Sequence, residues 1–229
     1  MTLPLTVSDE VRALAPGFTH VAVEAHGLVN GPSTDGTSEL LDAAARRLAA
    51  RTAGRAPHED PHMAAWREVY TAFGSKPSRT RNSAEALARR ALTDAGLPRV
   101  NLLVDLYNAV SVARLVPVGG EDLDRVRGGM RLVRAAGDED FVTVAGGEET
   151  VEHPAAGEVV WLDDAGVTCR RWNWRQGPRT RLTGESTSAI FLLESLAPAP
   201  EAEEAAVELA ELLEKFSPGA RIEVRAPQG

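Results

Sequence analysis

The feature that most constrains this chain is a change of texture near its middle. Helical periodicity fills much of the first half, and short strands bounded by Gly, Asp or Pro fill most of the second. Ser38 to Ala53 carries Leu41, Ala44, Ala45 and Leu48 on one stripe, so it is read as a helix. In the next helix Asp60 is the cap, Pro61 the first position and Gly74 the stop, and Met63, Trp66, Tyr70 and Phe73 make one apolar face. A third begins at Ser83 as cap, with Glu85 in its first turn, and closes at Gly96 and Pro98. Met130 to Val133, Phe141 to Val144, Val159 to Leu162 and Val167 to Trp172 then read as strands, and Ala189 to Leu193 as a central one. Phe18 to Leu28 is an earlier strand, Glu201 to Phe216 an amphipathic helix and Arg221 to Arg225 an edge strand. Helices, then strands, then a helix predict an α+β fold rather than a βαβ repeat.

A chain of 229 residues can bury about 70% of its unfolded surface and needs no covalent staples. One domain, residues 1–229, is expected, because the Ala197–Pro200 linker is too short to separate two. One cysteine, Cys169, allows no internal disulfide and fits a reducing cytoplasm. The N-terminus has no secretory pattern, and no apolar run approaches the ~18 residues of a membrane span. Net charge is −8, which argues against a general phosphate binder. The charge is uneven, however: Arg170 to Arg181 holds five arginines, two tryptophans and no acid, leaving room for a local nucleic-acid face.

Several motifs are weaker than they look. His58-Glu-Asp-Pro-His62 matches a zinc-protease expression, but Pro61 breaks the helix that would align both histidines. No metal or cofactor is expected. Cys169 has no adjacent base in sequence and reads as a buried structural thiol. The Gly74–Arg81 loop, which contains Arg79 and Arg81, is basic and reads first as a solvated connector. Arg170-Arg-Trp-Asn-Trp-Arg175 on a strand would set Arg171, Asn173 and Arg175 on one face and Arg170, Trp172 and Trp174 on the other. That suits phosphate contact with base stacking, or equally tryptophans in the core with arginines snorkelling past.

The stretch Val104 to Asp124 combines a helix with a Pro-x-Gly-Gly-x-Asp turn. Asn101, Asp105, Asn108 and Ser111 recur along one helix face. Leu102-Leu-Val-Asp-Leu106 is too apolar for an exposed helix, so the polar stripe is expected to line a pocket.

Together with Trp66-x3-Tyr70-x2-Phe-Gly74, Ser83-x-Glu-Ala-Leu-x-Arg-Arg90, Val104-Asp-Leu-Tyr-Asn-Ala-Val-Ser111, Pro117-x-Gly119-x2-Asp-Leu-Asp124, Cys169 to Arg175 and Thr187 to Glu194, the order of motifs resembles one family. It is similar to the editing (B-three/B-four, tRNA-binding) domain of the bacterial phenylalanyl-tRNA synthetase β subunit, in a freestanding version, from about Ala64 to Glu194. The resemblance implies a layered β/β/α domain of the PheT/TilS type with flanking helices. It implies a trans-acting hydrolase that cleaves the ester of a mischarged aminoacyl-tRNA, canavanyl-tRNA(Arg) among the candidates. The partner would be tRNA, with no membrane and no DNA, in the cytoplasm. The other readings are a non-catalytic tRNA- or RNA-binding module and a sensor of a free amino acid.

By that resemblance Asn108 and Glu194 carry the chemistry. Asn108 would orient the water or carbonyl, and Glu194 would hold the ammonium or bias the water. Tyr107, Ser111, Gly119, Gly120, Gly177 and Thr187 would contact substrate, with backbone N–H groups near Gly119–Gly120 or Gly177 supporting the oxyanion. Arg79, Arg81, Arg170, Arg171, Trp174 and Arg175 would meet the tRNA. Two positions depart from the family: Tyr107 stands where a threonine is usual, and Gly119 where a histidine is. Phenylalanyl-type specificity is therefore not expected to carry over.

Overall fold

Alternation along two long strands decides the architecture. The computed structural model describes residues 2–196 and 201–228, so the Ala197–Pro200 linker lies outside the described residues. Strand β2 (Phe18–His26) pairs antiparallel with β10 (Ser188–Leu196) along its full length. On β2 and β10 the residues Val21, Val23, Ala25, Phe191 and Leu193 pack with helices α5 (Leu102–Arg114) and α6 (Glu201–Phe216). Their neighbours Phe18, Ala22, Ile190 and Leu192 pack instead with Leu132 and Trp161 of a second sheet. A strand sends alternate side chains to opposite faces. One sheet is thereby covered by helices on one side and by another sheet on the other. The fold is α+β, layered sheet on sheet on helix.

The covered sheet runs β11-β2-β10-β3, with β3 at Val118–Asp122 and β11 at Arg221–Gln228. The second runs β1-β4-β7-β8-β9 and comprises Leu5–Val7, Met130–Arg134, Val159–Asp163, Gly166–Arg170 and Arg175–Gln176. Strands β5 (Phe141–Ala145) and β6 (Glu148–Glu152) form a separate hairpin. The short strand Leu5–Val7 and the helix α1 (Asp9–Leu14) carry too few residues to show a period, and β6 is mostly charged and exposed, so none of the three shows in the sequence.

Helix α2 (Asp35–Thr52) starts earlier than expected, because Thr34 and Thr37 form a reciprocal capping box. Helix α3 (Pro61–Ala72) starts as expected at the Asp60 cap. Helix α4 (Ser83–Ala91) is capped by Asn82, whose Oδ1 accepts Glu85 N–H at 2.8 Å, and not by Ser83. Two larger corrections follow. Pro117 to Asp122 is not a turn, for Gly119 and Gly120 lie within β3, paired with Leu192 and Phe191. The strand ending in Trp172 stops at Arg170, since Arg171 and Trp172 adopt left-handed backbone (φ 46° and 66°). Such residues cost about 1–2 kcal/mol each. Burial of Trp172 offsets that: its ring stands edge-on to Phe18 (4.9 Å) and Trp66 (5.3 Å).

Candidate functional site

Because chain direction reverses at Arg171–Trp174, the expected two-face arrangement of that stretch is wrong. Trp172 and Asn173 both turn inward and converge on Glu194. Glu194 lies on the face of β10 that looks at the second sheet. Its Oε1 accepts the indole N–H of Trp161 (2.8 Å) and of Trp172 (3.1 Å), and its Oε2 accepts Asn173 Nδ2 (2.7 Å). Tyr70 O–H in turn donates to Asn173 Oδ1 at 2.8 Å. Burial pushes the Glu194 carboxyl up to about 7, against the pull of these three donors.

These groups line a cavity of about 280 Å³. Its walls include Leu87 of α4, Tyr107 and Asn108 of α5, Gly119 and Glu121 of β3, Trp161, Cys169, Trp172 and Trp174. The Asn108 amide has no protein partner among the described residues, and its residue is only 6% exposed, so the cavity is its outlet. Glu121 is a second buried acid, whose Oε2 accepts Gln176 Nε2 at 2.7 Å; burial raises its pKa to about 8. Burial also raises Tyr107 and Cys169 above their ordinary values, so both stay protonated. Among the described residues the wall contains no Lys, Arg or His.

Of the expected substrate contacts, Asn108, Glu194, Tyr107 and Gly119 meet here. Nothing stands within 4 Å of a Cβ built on Gly119, so that position opens on space. Gly120 lies just behind the wall; a Cβ there would come within 3.1 Å of the Tyr107 and Phe191 rings. Ser111, Gly177 and Thr187 do not line the cavity. Ser111 Oγ donates to Val116 O at 2.7 Å, closing the end of α5. Gly177 N–H is taken by Thr168 O at 2.7 Å, which removes it as an oxyanion donor. Thr187 O accepts Leu28 N–H.

The polar stripe is likewise corrected, since only Asn108 reaches the cavity. Asn101 Oδ1 caps α5 at Val104 N–H, and Asp105 accepts from Thr37 Oγ1 and Val100 N–H. The stripe anchors the helix that presents Asn108.

The arginine group divides. Arg170 is buried and bidentate on Glu158 (2.9 and 2.8 Å), with a further bond to Glu152. It is a structural residue and not a surface contact for tRNA. Arg175 donates to Thr143 Oγ1, and Arg81 faces Glu85 at 3.4 Å. Arg171 stacks over Trp174 at 4.6 Å, and Arg79 is exposed. Glu121, Gln176, Trp161 and Asn173 were missed as site residues. Glu121 sits beside the Gly119–Gly120 pair that resembles a turn, and the reversal at Arg171–Trp174 turns Asn173 inward. His62, from the rejected zinc motif, accepts Trp66 Nε1–H and Leu196 N–H on Nε2 and contacts Leu115 O through Nδ1.

The buried acids predict a pH dependence of stability. Glu194 and Glu121 bind a proton more tightly folded than unfolded, so folding strengthens as pH falls from about 8.5 to 6.5. Below 6.5 the trend is opposed, because burial lowers His20 to about 4 and the unfolded ring takes up protons first. Urea unfolding at pH 8.5 and 6.5 should show the rise, and Glu121→Gln should remove a large part of it. A variant with the same slope as the parent would show that Glu121 is not desolvated as described.

The family model of the B3/4 domain matches residues 65–213, and the chain belongs to the B3/4 domain family. Among solved structures it is similar to an N-terminal fragment of the phenylalanyl-tRNA synthetase β-subunit from Pyrococcus horikoshii, at 12% identity and a TM-score of 0.47. That match covers 97% of this chain and 50% of the fragment, so the chain spans about half the fragment's length. None of the curated proteins compared with the chain matches it. Among the described residues no helix is long and apolar enough to cross a membrane, and no group of three or more His, Cys, Asp or Glu could hold a metal ion.

Proposed function

We propose that this protein is a trans-acting aminoacyl-tRNA deacylase, which hydrolyses the ester of a mischarged tRNA. The observation that carries the reading is a half-open cavity with aromatic walls and two buried acids, and without a cation among the described residues of its wall. An aminoacyl ester brings an ammonium and no free carboxylate. Glu194 in its ionised fraction and the aromatic faces suit the ammonium. A free amino acid would bring a carboxylate with no cation to meet it, at a substantial desolvation cost. The ester is therefore favoured over the sensor reading.

Asn108 presents an unpartnered amide to the reacting carbonyl or its water. Glu194 holds the ammonium or, in its ionised fraction, draws a proton from the water. With Gly177 N–H occupied, the remaining backbone candidate is Gly120. Its C=O points away from β10 to Gln176 Nε2 at 2.7 Å, and on an antiparallel strand its N–H points the same way. A ribose hydroxyl of the terminal adenosine is available as a further donor. Arg79, Arg171, Arg175 and Trp174 are the contacts that the fold leaves for RNA.

The test is a panel of tRNAs mischarged with aromatic, small and guanidino-type amino acids, canavanyl-tRNA(Arg) included. Ester loss well above the buffer rate is expected for at least one class. Loss at the buffer rate across the panel, with tRNA still bound, would leave a binding module. Calorimetric binding of a free amino acid without RNA would favour the sensor.

A further inference from the structure

A second cavity of about 280 Å³ lies on the other side of the Arg171–Trp174 turn, and its character is opposite to the first. Its wall is formed by Phe73 to Lys76, Arg79, Thr80, Ala155, Ala156, Glu158 and Arg171. Three cations, Lys76, Arg79 and Arg171, line it in a protein of net charge −8, and of these the Arg171 guanidinium lies 3.6 Å from Glu158. The single acid is already committed: both Glu158 oxygens accept from Arg170, and Oε1 also accepts Arg171 N–H. The carbonyls at the end of α3 are also occupied, with Tyr70 O accepting Ser75 N–H at 2.8 Å and Thr71 O accepting Gly74 N–H.

Two buried hydroxyl residues, Ser75 and Thr80, belong to the same wall. Ser75 is 9% exposed, and its Oγ has no partner among the described residues. Thr80 is 4% exposed; its Oγ1 accepts from Arg171 Nη1 at 2.5 Å, which leaves its own proton to give. With Lys76, Arg79, Arg171 and the Thr80 hydroxyl in the wall and its one acid engaged by Arg170, a ligand that accepts hydrogen bonds is what the cavity lacks. Guanidinium, ammonium and hydroxyl donors around one pocket match a tetrahedral oxyanion.

We propose that this cavity is a phosphate site that takes one backbone phosphodiester of a single-stranded RNA end. Arg171 belongs to its wall while its guanidinium lies over Trp174, a residue of the first cavity. A phosphate held on Arg171 therefore leaves the following nucleoside beside an aromatic face that borders the acidic cavity. The assignment deepens the proposed function on its RNA side and needs none of the ester chemistry.

The test uses the full chain with a short, unacylated, single-stranded oligoribonucleotide, read by fluorescence anisotropy across a salt series. Lys76 and Arg79 are exposed, so Lys76→Ala/Arg79→Ala should keep the fold, which a thermal melt checks. The double variant should bind roughly tenfold more weakly, with the slope of log K on log salt reduced by about 0.7 for each phosphate that is no longer neutralised. Lys76→Arg should keep the parent slope. Oligonucleotide binding that the double variant leaves intact, or no binding by the parent, would overturn the proposal. So would displacement by inorganic phosphate at concentrations equal to the oligonucleotide's, which would assign the cavity to free phosphate. Reduced oligonucleotide binding alongside an inactive ester assay would retain the site and reject the deacylase.

Discussion

Asn108→Ala should cut ester hydrolysis by about 10²–10³ while leaving tRNA affinity nearly unchanged. The expectation rests on where the side chain stands. Its helix is fixed at both ends by buried bonds, Asn101 to Val104 N–H and Ser111 to Val116 O, so the amide is held rather than flexible. It has no protein partner to lose, and truncation leaves no orphaned donor. Stability should therefore change little, and the loss should appear in kcat more than in KM. Asn108→Asp, which keeps the shape but exchanges a donor for a third carboxylate, should lose as much. An alanine variant as active as the parent would place the chemistry at another group.

The second large effect is on folding. Arg170→Ala should lower stability by about 3–5 kcal/mol, because it strands a buried carboxylate. Glu158 is 5% exposed and takes two bonds from Arg170; the variant would leave it Arg171 N–H at 3.1 Å and the Arg171 guanidinium at 3.6 Å. Adding Glu158→Gln should recover part of the loss. Denaturant midpoints of the single and double variants check this. An Arg170→Ala protein with an unchanged midpoint and weakened RNA binding would restore Arg170 to the tRNA surface.

How much of this was legible depended on the length of each period. Glu201–Phe216, Pro61–Ala72 and the central strand at residues 188–196 show clear patterns, and each lies where sequence reading put it, within a residue or a few. Asn108 and Glu194 stood out through motif order, and the cavity does bring them together. The turn at Arg171–Trp174 was illegible because neither Arg nor Trp advertises left-handed backbone. Packing of Trp172 imposes it, a tertiary contact that no local pattern encodes. The same error misplaced Asn173, and with it the clamp on Glu194. Glu121 was hidden for a related reason: paired glycines resemble a turn, yet here they let a strand pass close to Tyr107 and Phe191. The five clustered arginines looked like one basic surface, but acids distant in sequence consume Arg170 and Arg179.

The cation-free wall also bears on turnover. Hydrolysis of an ester inside it would create a carboxylate between Glu121 and Glu194, where no residue of the wall can neutralise it. The released amino acid would find no counter-charge there for its new carboxylate. Product would accumulate in solution without slowing the next cycle, so the step that limits the rate would fall on the RNA and on the bond being cut.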